Sequence, residues 1–344
     1  MSSAAVARTG TDGGTPLLSV RDLFVHYPVR RDLTSALRRE PHQQISAVDG
    51  VSFSLRHGEM LALIGESGCG KTSTAQAILR MIDATSGTIE VDGRDITRLT
   101  SQQLRPIRRT MQMVYQDPYE SLDPRFRVRR AIEEPLMIHG LTGSSEQRER
   151  TIVDALERVE LSPADLYIDR YPHELSGGQR QRVAIAASLV LEPRLLLADE
   201  PVSMLDVSVR AGILSLLDRI RRESDMGIVM ITHDVSTAAH FADRIAVMYL
   251  GRIVEEGPAR RVVNDPQHPY TRALMSVVPK RDPRDRTEPQ ILQGETPNPI
   301  DVPPGCRFHP RCPVAEDRCR VTDPQLHARS DAEDDLHRAA CVLV

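Results

Sequence analysis

Residues 17–27, LLSVRDLFVHY, alternate apolar and polar positions with the period of a half-buried strand, and the same pattern resumes over 47–55, AVDGVSFSL. A charged loop, RRDLTSALRREPHQQ (30–44), separates the two. MLALI (60–64) is instead apolar at every position and runs into a glycine-rich turn, which predicts a parallel strand buried on both faces. From about 126 to 192 the pattern turns helical and charge-rich, as in ERTIVDALERVEL. Two more buried-strand candidates follow, LLLAD (195–199) and GIVMIT (227–232), with SVRAGILSLLDRIRRES as the helix between them. This alternation predicts an α/β fold, a parallel sheet with helices on both faces. Beyond residue 264 proline, arginine and acidic residues rise and periodicity fades, so we expect a core over 17–264 and an appended tail over 265–344.

Composition narrows this picture. The 344-residue chain carries a net charge of −4, which argues against a polyanion-binding surface spread over the whole protein. No eighteen-residue apolar run exists, so the chain is not expected to span a membrane. Residues 1–16 lack the apolar stretch of a secretory signal and read as a flexible leader. Five cysteines without an export signal make a disulfide framework a poor expectation, and the cytosol is the default compartment.

The chemistry concentrates at strand ends. GESGCGKT (65–72) fits the G-x-x-x-x-G-K-[ST] phosphate loop and lies between a buried strand and the helix TSTAQAILRMI. Its glycines let backbone N–H groups turn toward phosphate oxygens, and the helix N-terminus adds positive potential. Lys71 is placed to reach β- and γ-phosphates, and the Thr72 hydroxyl to bind Mg²⁺. We take Gly65, Glu66, Ser67, Gly68, Cys69, Gly70, Lys71, Thr72 and Ser73 as the cradle, with no separate chemistry for Cys69. LLLADE puts Asp199 at a strand end, where it can hold the Mg²⁺ water shell, and Glu200 next to it, where it can face an attacking water. MITHD places His233 at the end of another strand, within reach of a γ-phosphate. In LSGGQRQR (175–182), Ser176 and Gln179 form an S-x-x-Q capping pattern, so a helix begins there with Gly177 and Gly178 in its first turn. One nucleotide needs only one cradle; this second anion-binding helix end is expected to serve a nucleotide on another subunit.

With these motifs in this order the chain resembles the ATP-binding subunits of ABC transporters. The likeness adds MVYQDPYESLDP as the Q-loop region with Gln116, SMLD (203–206) as the D-loop with Asp206, and Tyr27 as the aromatic residue that stacks on adenine. It implies a P-loop NTPase (RecA-like) core with an ABC-specific β-subdomain and a helical subdomain over about 118–192. It also implies head-to-tail dimerisation, with each signature motif closing over the partner's ATP. Glu200 would then be the general base, with His233 and Lys71 stabilising the γ-phosphate and Gln116 contacting water or Mg²⁺. Tyr115, Tyr119 and Leu122 are candidates to line a groove for a helix of the membrane partner, packing of the subdomain joint being the alternative for each.

RRTMQMVYQDPYESLDPR, RYPHELSGGQRQRVAIA, VMYLGRIVEEGP and DPQHPYTRALMSVVP are similar to the dipeptide/oligopeptide importer ATPases, and to their F-type rather than D-type chain. That implies ATP hydrolysis driving import, a D-type paralogue as heterodimer partner, two membrane-spanning permease subunits, an extracytoplasmic substrate-binding protein and no nucleic acid. A homodimer, a nickel or other small-solute cargo, and a soluble ABC ATPase remain alternatives. The place of action implied is the cytoplasmic face of the membrane.

Cys306, Cys312, Cys319 and Cys341 are separated by five, six and twenty-one residues, so none forms the C-x-x-C knuckle of structural zinc. Four thiolates match the ligand set of a [4Fe–4S] cluster, and importer ATPases with this four-cysteine tail are associated with one. Zinc and free thiols remain open. His309 and His337 nearby read as surface residues.

Overall fold

The computed structural model describes residues 15–29, 43–141, 143–278, 289–328 and 336–344. The leader up to residue 14, most of the charged loop (30–42) and residue 279 of the tail motif lie outside the described residues. In chain order the strands are β1 (Leu18–Pro28), β2 (Gln44–Leu55), β3 (Met60–Ile64), β4 (Ser86–Val91), β5 (Arg94–Asp95) and β6 (Met111–Val114). They continue with β7 (Leu195–Asp199), β8 (Gly227–Thr232), β9 (Arg244–Tyr249), β10 (Arg252–Pro258), β11 (His327–Ala328) and β12 (Arg338–Ala339). One sheet runs β2-β1-β4-β5, all antiparallel. The other runs β11-β12-β10-β9-β3-β8-β7-β6, parallel from β9 to β6 and antiparallel beyond.

The all-apolar runs follow from where this second sheet lies. Met60, Ala62 and Ile64 of β3 join Leu196, Ala198, Ile228 and Met230 in one core, on the side of the helical region. Leu61 and Leu63 join Leu195, Leu197, Val229 and Ile231 in a second core shared with the antiparallel sheet. Side chains of a strand alternate faces, and both faces are covered, so every position is apolar. Each fully buried leucine or isoleucine contributes roughly 1.5–3 kcal/mol.

The helical region holds helices Pro118–Ser121, Val128–Ile138, Ser145–Arg158 and Gly177–Leu189. Val128, Ile132 and Leu136 recur every fourth residue and meet Ile152, Leu156 and Val183 in the first core. Among the described residues no helix is long and apolar enough to cross a membrane.

The C-terminal segment is more integrated than its composition suggests. β12 pairs with β10 and β11 with β12, so the tail extends the main sheet by two short strands. Tyr270 and Phe308, both buried, belong to the first core, and their rings pack on Tyr249 at 4.7 and 5.3 Å. His337 is not a surface residue: it is 2% exposed, and its Nε2 lies 2.7 Å from Glu255 Oε1. His309 is half-buried, with Nδ1 2.9 Å from the Cys306 carbonyl.

Candidate functional site

The phosphate loop connects the end of β3 to the helix Lys71–Ile78 and forms the floor of a cleft of roughly 430 Å³. Ser67, Gly68, Gly70, Lys71, Thr72 and Ser73 line it, facing Gln116, Asp199, Glu200 and His233. Gly70 caps the helix at φ 106°, and a Cβ there would stand 2.1 Å from the Ala47 carbonyl oxygen, so only glycine fits. Lys71 is buried; its Nζ donates to the carbonyls of Gly65 (2.8 Å) and Glu66 (2.9 Å).

Two carboxylates end β7 in different settings. Asp199 is buried; burial raises its carboxyl above the ordinary range, against a hydrogen bond from Thr72, while the neighbouring Glu200 charge raises it further. A buried carboxylate sharing a hydroxyl partner is a ready site for a divalent cation, which would relieve its desolvation. Glu200 is held on both oxygens: Gln116 Nε2 donates to Oε2 at 3.1 Å, and His233 Nδ1 lies 3.0 Å from Oε1. Its backbone sits at φ 46°, a left-handed conformation uncommon for a non-glycine residue. The Glu200 N–H donates to the Ile231 carbonyl at 2.9 Å, and this bond to β8 helps hold the turn. The cleft therefore brings together the glycine-rich loop, a buried lysine, the Thr72 and Asp199 pair and an oriented carboxylate. That set can polarise water against a terminal phosphate.

Of the loop and base-stacking candidates, Gly65, Glu66, Cys69 and Tyr27 are not in the lining of this cleft. Glu66 belongs to the loop, but its carboxylate is taken by Arg311 and Thr296 of the tail. Cys69 is buried beneath the loop, where burial pushes its thiol up. Tyr27 is not in the lining; its cross-strand partner Ile45 is, together with Ala47 and Pro299. Leu122 is buried in the first core and cannot line a surface groove, whereas Tyr115 and Tyr119 are exposed. No local pattern pointed to Ile45, Ala47 or Pro299.

A second constellation lies apart from the cleft. Ser176 caps the helix Gly177–Leu189 with the predicted box: its Oγ accepts from the Gln179 N–H, and Gln179 Oε1 accepts from the Ser176 N–H. Gly178 packs so tightly on the next long helix that a Cβ would stand 2.6 Å from Val209 Cγ1. Asp206 is the N-cap of that helix, Val207–Ser224, between Leu205 and Val209, which contact the two signature glycines. The signature and the D-loop thus form one patch.

All five cysteines are free thiols. In the tail, the Cys306 N–H donates to the Cys319 carbonyl at 2.9 Å. Burial pushes the Cys306 thiol up to about 11, and Cys341, Cys319 and Cys312 add to the effect, so the four share one neighbourhood. Among the described residues, however, no three of His, Cys, Asp or Glu are arranged to hold a metal ion. The expected cluster gains no geometric support.

Fold and cleft together define a P-loop nucleotide-binding cassette. Residues 48–203 match the ABC transporter family model, and 254–319 match the oligopeptide/dipeptide transporter C-terminal region. The chain is 43% identical to the di/tripeptide transport ATP-binding protein DppF of Pseudomonas aeruginosa, covering 94% of this chain and 98% of that one. It is also 43% identical to the dipeptide transport ATP-binding protein DppF of Haemophilus influenzae, over 93% and 95%. A solved dimer of a bacterial ABC transporter cassette superposes with a TM-score of 0.61 at 27% identity, covering 71% of this chain and 99% of that one. The chain belongs to the ATP-binding subunits of ABC transporters, in the branch that carries the oligopeptide/dipeptide C-terminal region, and is an ATPase of that family.

Proposed function

We propose that this chain is the ATP-hydrolysing subunit of an importer for di- or oligopeptides, seated peripherally on the cytoplasmic face of a membrane. Its partners in this reading are two membrane-spanning permease subunits, an extracytoplasmic substrate-binding protein and a D-type ATPase paralogue that completes a heterodimer. One observation carries the proposal: a complete phosphate and carboxylate cleft stands in the same chain as a match to the oligopeptide/dipeptide C-terminal region. The names of the DppF relatives support the cargo class.

Within the cleft, the loop amides and Lys71 hold the β- and γ-phosphates, and Thr72 and Asp199 hold Mg²⁺. The bound cation would neutralise charge on the phosphate oxygens. Glu200 takes the proton of the attacking water. Gln116 fixes one of its oxygens and His233 the other, leaving the His233 Nε2 for the γ-phosphate. Tyr27 stacks on the base from beside Ile45. Ser176, Gly177, Gly178, Gln179 and Asp206 act in trans, over the nucleotide held by the partner. None of them lines this chain's own cleft, and this together with the dimeric state of the neighbouring solved cassette supports that assignment. Exposed Tyr115 and Tyr119 face the permease. We divide the chain functionally into the cassette (17–264, helical subdomain about 118–192) and the extension (265–344).

Co-expression with the neighbouring permease, binding-protein and ATPase genes tests this directly. The expected result is a complex that retains two multi-span subunits and hydrolyses ATP faster when peptide-loaded binding protein is added. A chain that isolates alone, with peptide-independent hydrolysis, would support a soluble ABC ATPase instead.

Cys306, Cys312, Cys319 and Cys341 match an iron–sulfur cluster in donor type and number, though not in their arrangement in this structure; gathered around one, they would cross-link a tail with little apolar periodicity. Anaerobically purified protein is expected to contain about four irons and four labile sulfides per chain. Iron-free protein with four titratable thiols in the tail would remove the cluster from the proposal, and stoichiometric zinc would replace it.

A further inference from the structure

The cysteine-bearing tail reaches the phosphate loop through one residue. Glu66, the second residue of the loop, has all its polar groups engaged. Its N–H donates to Tyr270 Oη at 2.9 Å, and its carbonyl accepts from Lys71 Nζ at 2.9 Å. Its carboxylate takes Thr296 Oγ1 at 2.7 Å and both terminal nitrogens of Arg311, at 2.8 and 3.2 Å. The forked pairing suits guanidinium in a way that an ammonium cannot reproduce. Arg311 is well buried, its side chain 8% exposed against 27% for Glu66. Burial alone would raise the Glu66 carboxyl, yet Arg311 and Thr296 hold it below its ordinary range.

The tail side of this contact is stiff. Tyr270, Tyr249 and Phe308 pack as a triangle with ring centroids 4.7–5.4 Å apart, and the Arg311 guanidinium lies 5.9 Å from the Tyr249 ring. From Thr296 the chain continues along the cleft, where Pro299 lines the wall and its carbonyl accepts from the Ser46 N–H at 3.1 Å. Loop, lysine and tail are therefore one connected hydrogen-bonded unit, and a phosphate site held before ligand arrives binds with less ordering cost.

We propose that Arg311, with Thr296 and Tyr270, is a positioning residue for the nucleotide: by holding Glu66 it sets the geometry of the phosphate loop and so the chain's affinity for adenine nucleotides. The proposal rests on reading the cleft as a nucleotide site; it is independent of what the four thiols hold.

The test is calorimetric titration of the full chain with MgADP, alongside thermal melting of each variant. Arg311→Ala is expected to weaken MgADP by about tenfold, and Arg311→Lys to recover only part of that loss. Glu66→Gln combined with Arg311→Ala should bind no more weakly than the worse single variant, because both remove the same contact. Arg318→Ala, on the exposed tail surface, should bind like wild type. A contact that merely fastens the tail would lower the melting temperature and leave the dissociation constant of folded protein within twofold, and that result overturns the proposal. Should Arg311→Ala not fold, Thr296→Val removes one bond to Glu66 and is expected to cost about threefold. Unchanged affinity in both Thr296→Val and Glu66→Gln would equally overturn it. Wild-type chain that binds no MgADP would instead sink the reading of the cleft.

Discussion

Glu200→Gln is expected to lower steady-state ATP hydrolysis by at least about a hundredfold while leaving the affinity for MgADP within a small factor. The amide has the size and shape of the carboxylate, so the turn at φ 46° and the Glu200 N–H bond to Ile231 are retained. What disappears is the basic oxygen. Gln116 Nε2 and His233 Nδ1 both approach the Glu200 carboxylate, and this arrangement orients it for water rather than for the cation. Asp199, one residue earlier, already has Thr72 as its partner and takes the cation side. Phosphate release measured at saturating MgATP, with MgADP titration on the same sample, separates the two effects. Hydrolysis within tenfold of wild type would remove Glu200 from the role of base. Equal losses in rate and affinity would make it a binding residue.

Much of this site was readable in the chain because its determinants are local. MLALI, LLLAD and GIVMIT coincide with β3, β7 and β8 residue for residue, since a strand covered on both faces is apolar along its length, with polar residues only where β7 and β8 end, at Asp199 and Thr232. The phosphate loop needs glycines at set offsets for steric reasons, and the capping box at Ser176 and Gln179 is a four-residue device. β6 was missed as a strand: it has only four residues and directly follows a helix that holds Pro106 and several arginines. For Leu122 the structure decides between groove lining and core packing in favour of the core, since a leucine beside two exposed tyrosines gives no sign in the sequence of which way it turns.

The tail was the least legible part, for a physical reason. Its order comes from contacts across long stretches of chain: Arg311 to Glu66 over 245 residues, Arg307 to Asp49 over 258, and His337 to Glu255 over 82. No periodicity encodes such pairings. A segment rich in proline and charge reads as loosely appended until its partners are placed. His337 reads as a surface residue in the sequence and is a buried partner of a carboxylate in the fold, and the Arg311 side chain is largely covered where it pairs with Glu66.

Glu255→Ala should accordingly be among the most destabilising single changes in the chain. Glu255 is fully buried on β10, and its carboxylate collects three donors from the extension. Oε1 accepts from the Gln267 N–H at 2.8 Å and meets His337 Nε2 at 2.7 Å, while Oε2 accepts from the His268 N–H at 2.8 Å. His268 is neutral, its pKa pushed down to about 3 by burial, and its Nδ1 accepts from the Tyr270 N–H. Removing the carboxylate strands two backbone N–H groups and an imidazole in the interior at once. At about 1–3 kcal/mol for each orphaned donor, partly recovered by relaxation, the cost is about 3–5 kcal/mol. For a domain of this size that lowers Tm by roughly 10 °C. Glu255→Gln keeps one acceptor but turns an amide NH₂ toward donors, so it should fall between alanine and wild type. Arg318→Ala, which breaks a pair with Glu316 exposed on both sides, should cost no more than about 1 kcal/mol. Differential scanning calorimetry orders the three variants, and limited proteolysis should place the first new cleavage of Glu255→Ala beyond residue 264. A Tm within about 2 °C of wild type would mean that β10 and the helix Pro269–Ser276 are held together by the Tyr249, Tyr270 and Phe308 rings alone. Since Tyr270 also receives the Glu66 N–H, a loosened extension should carry a weakened phosphate loop with it, so Glu255→Ala should lose MgADP affinity as well as stability.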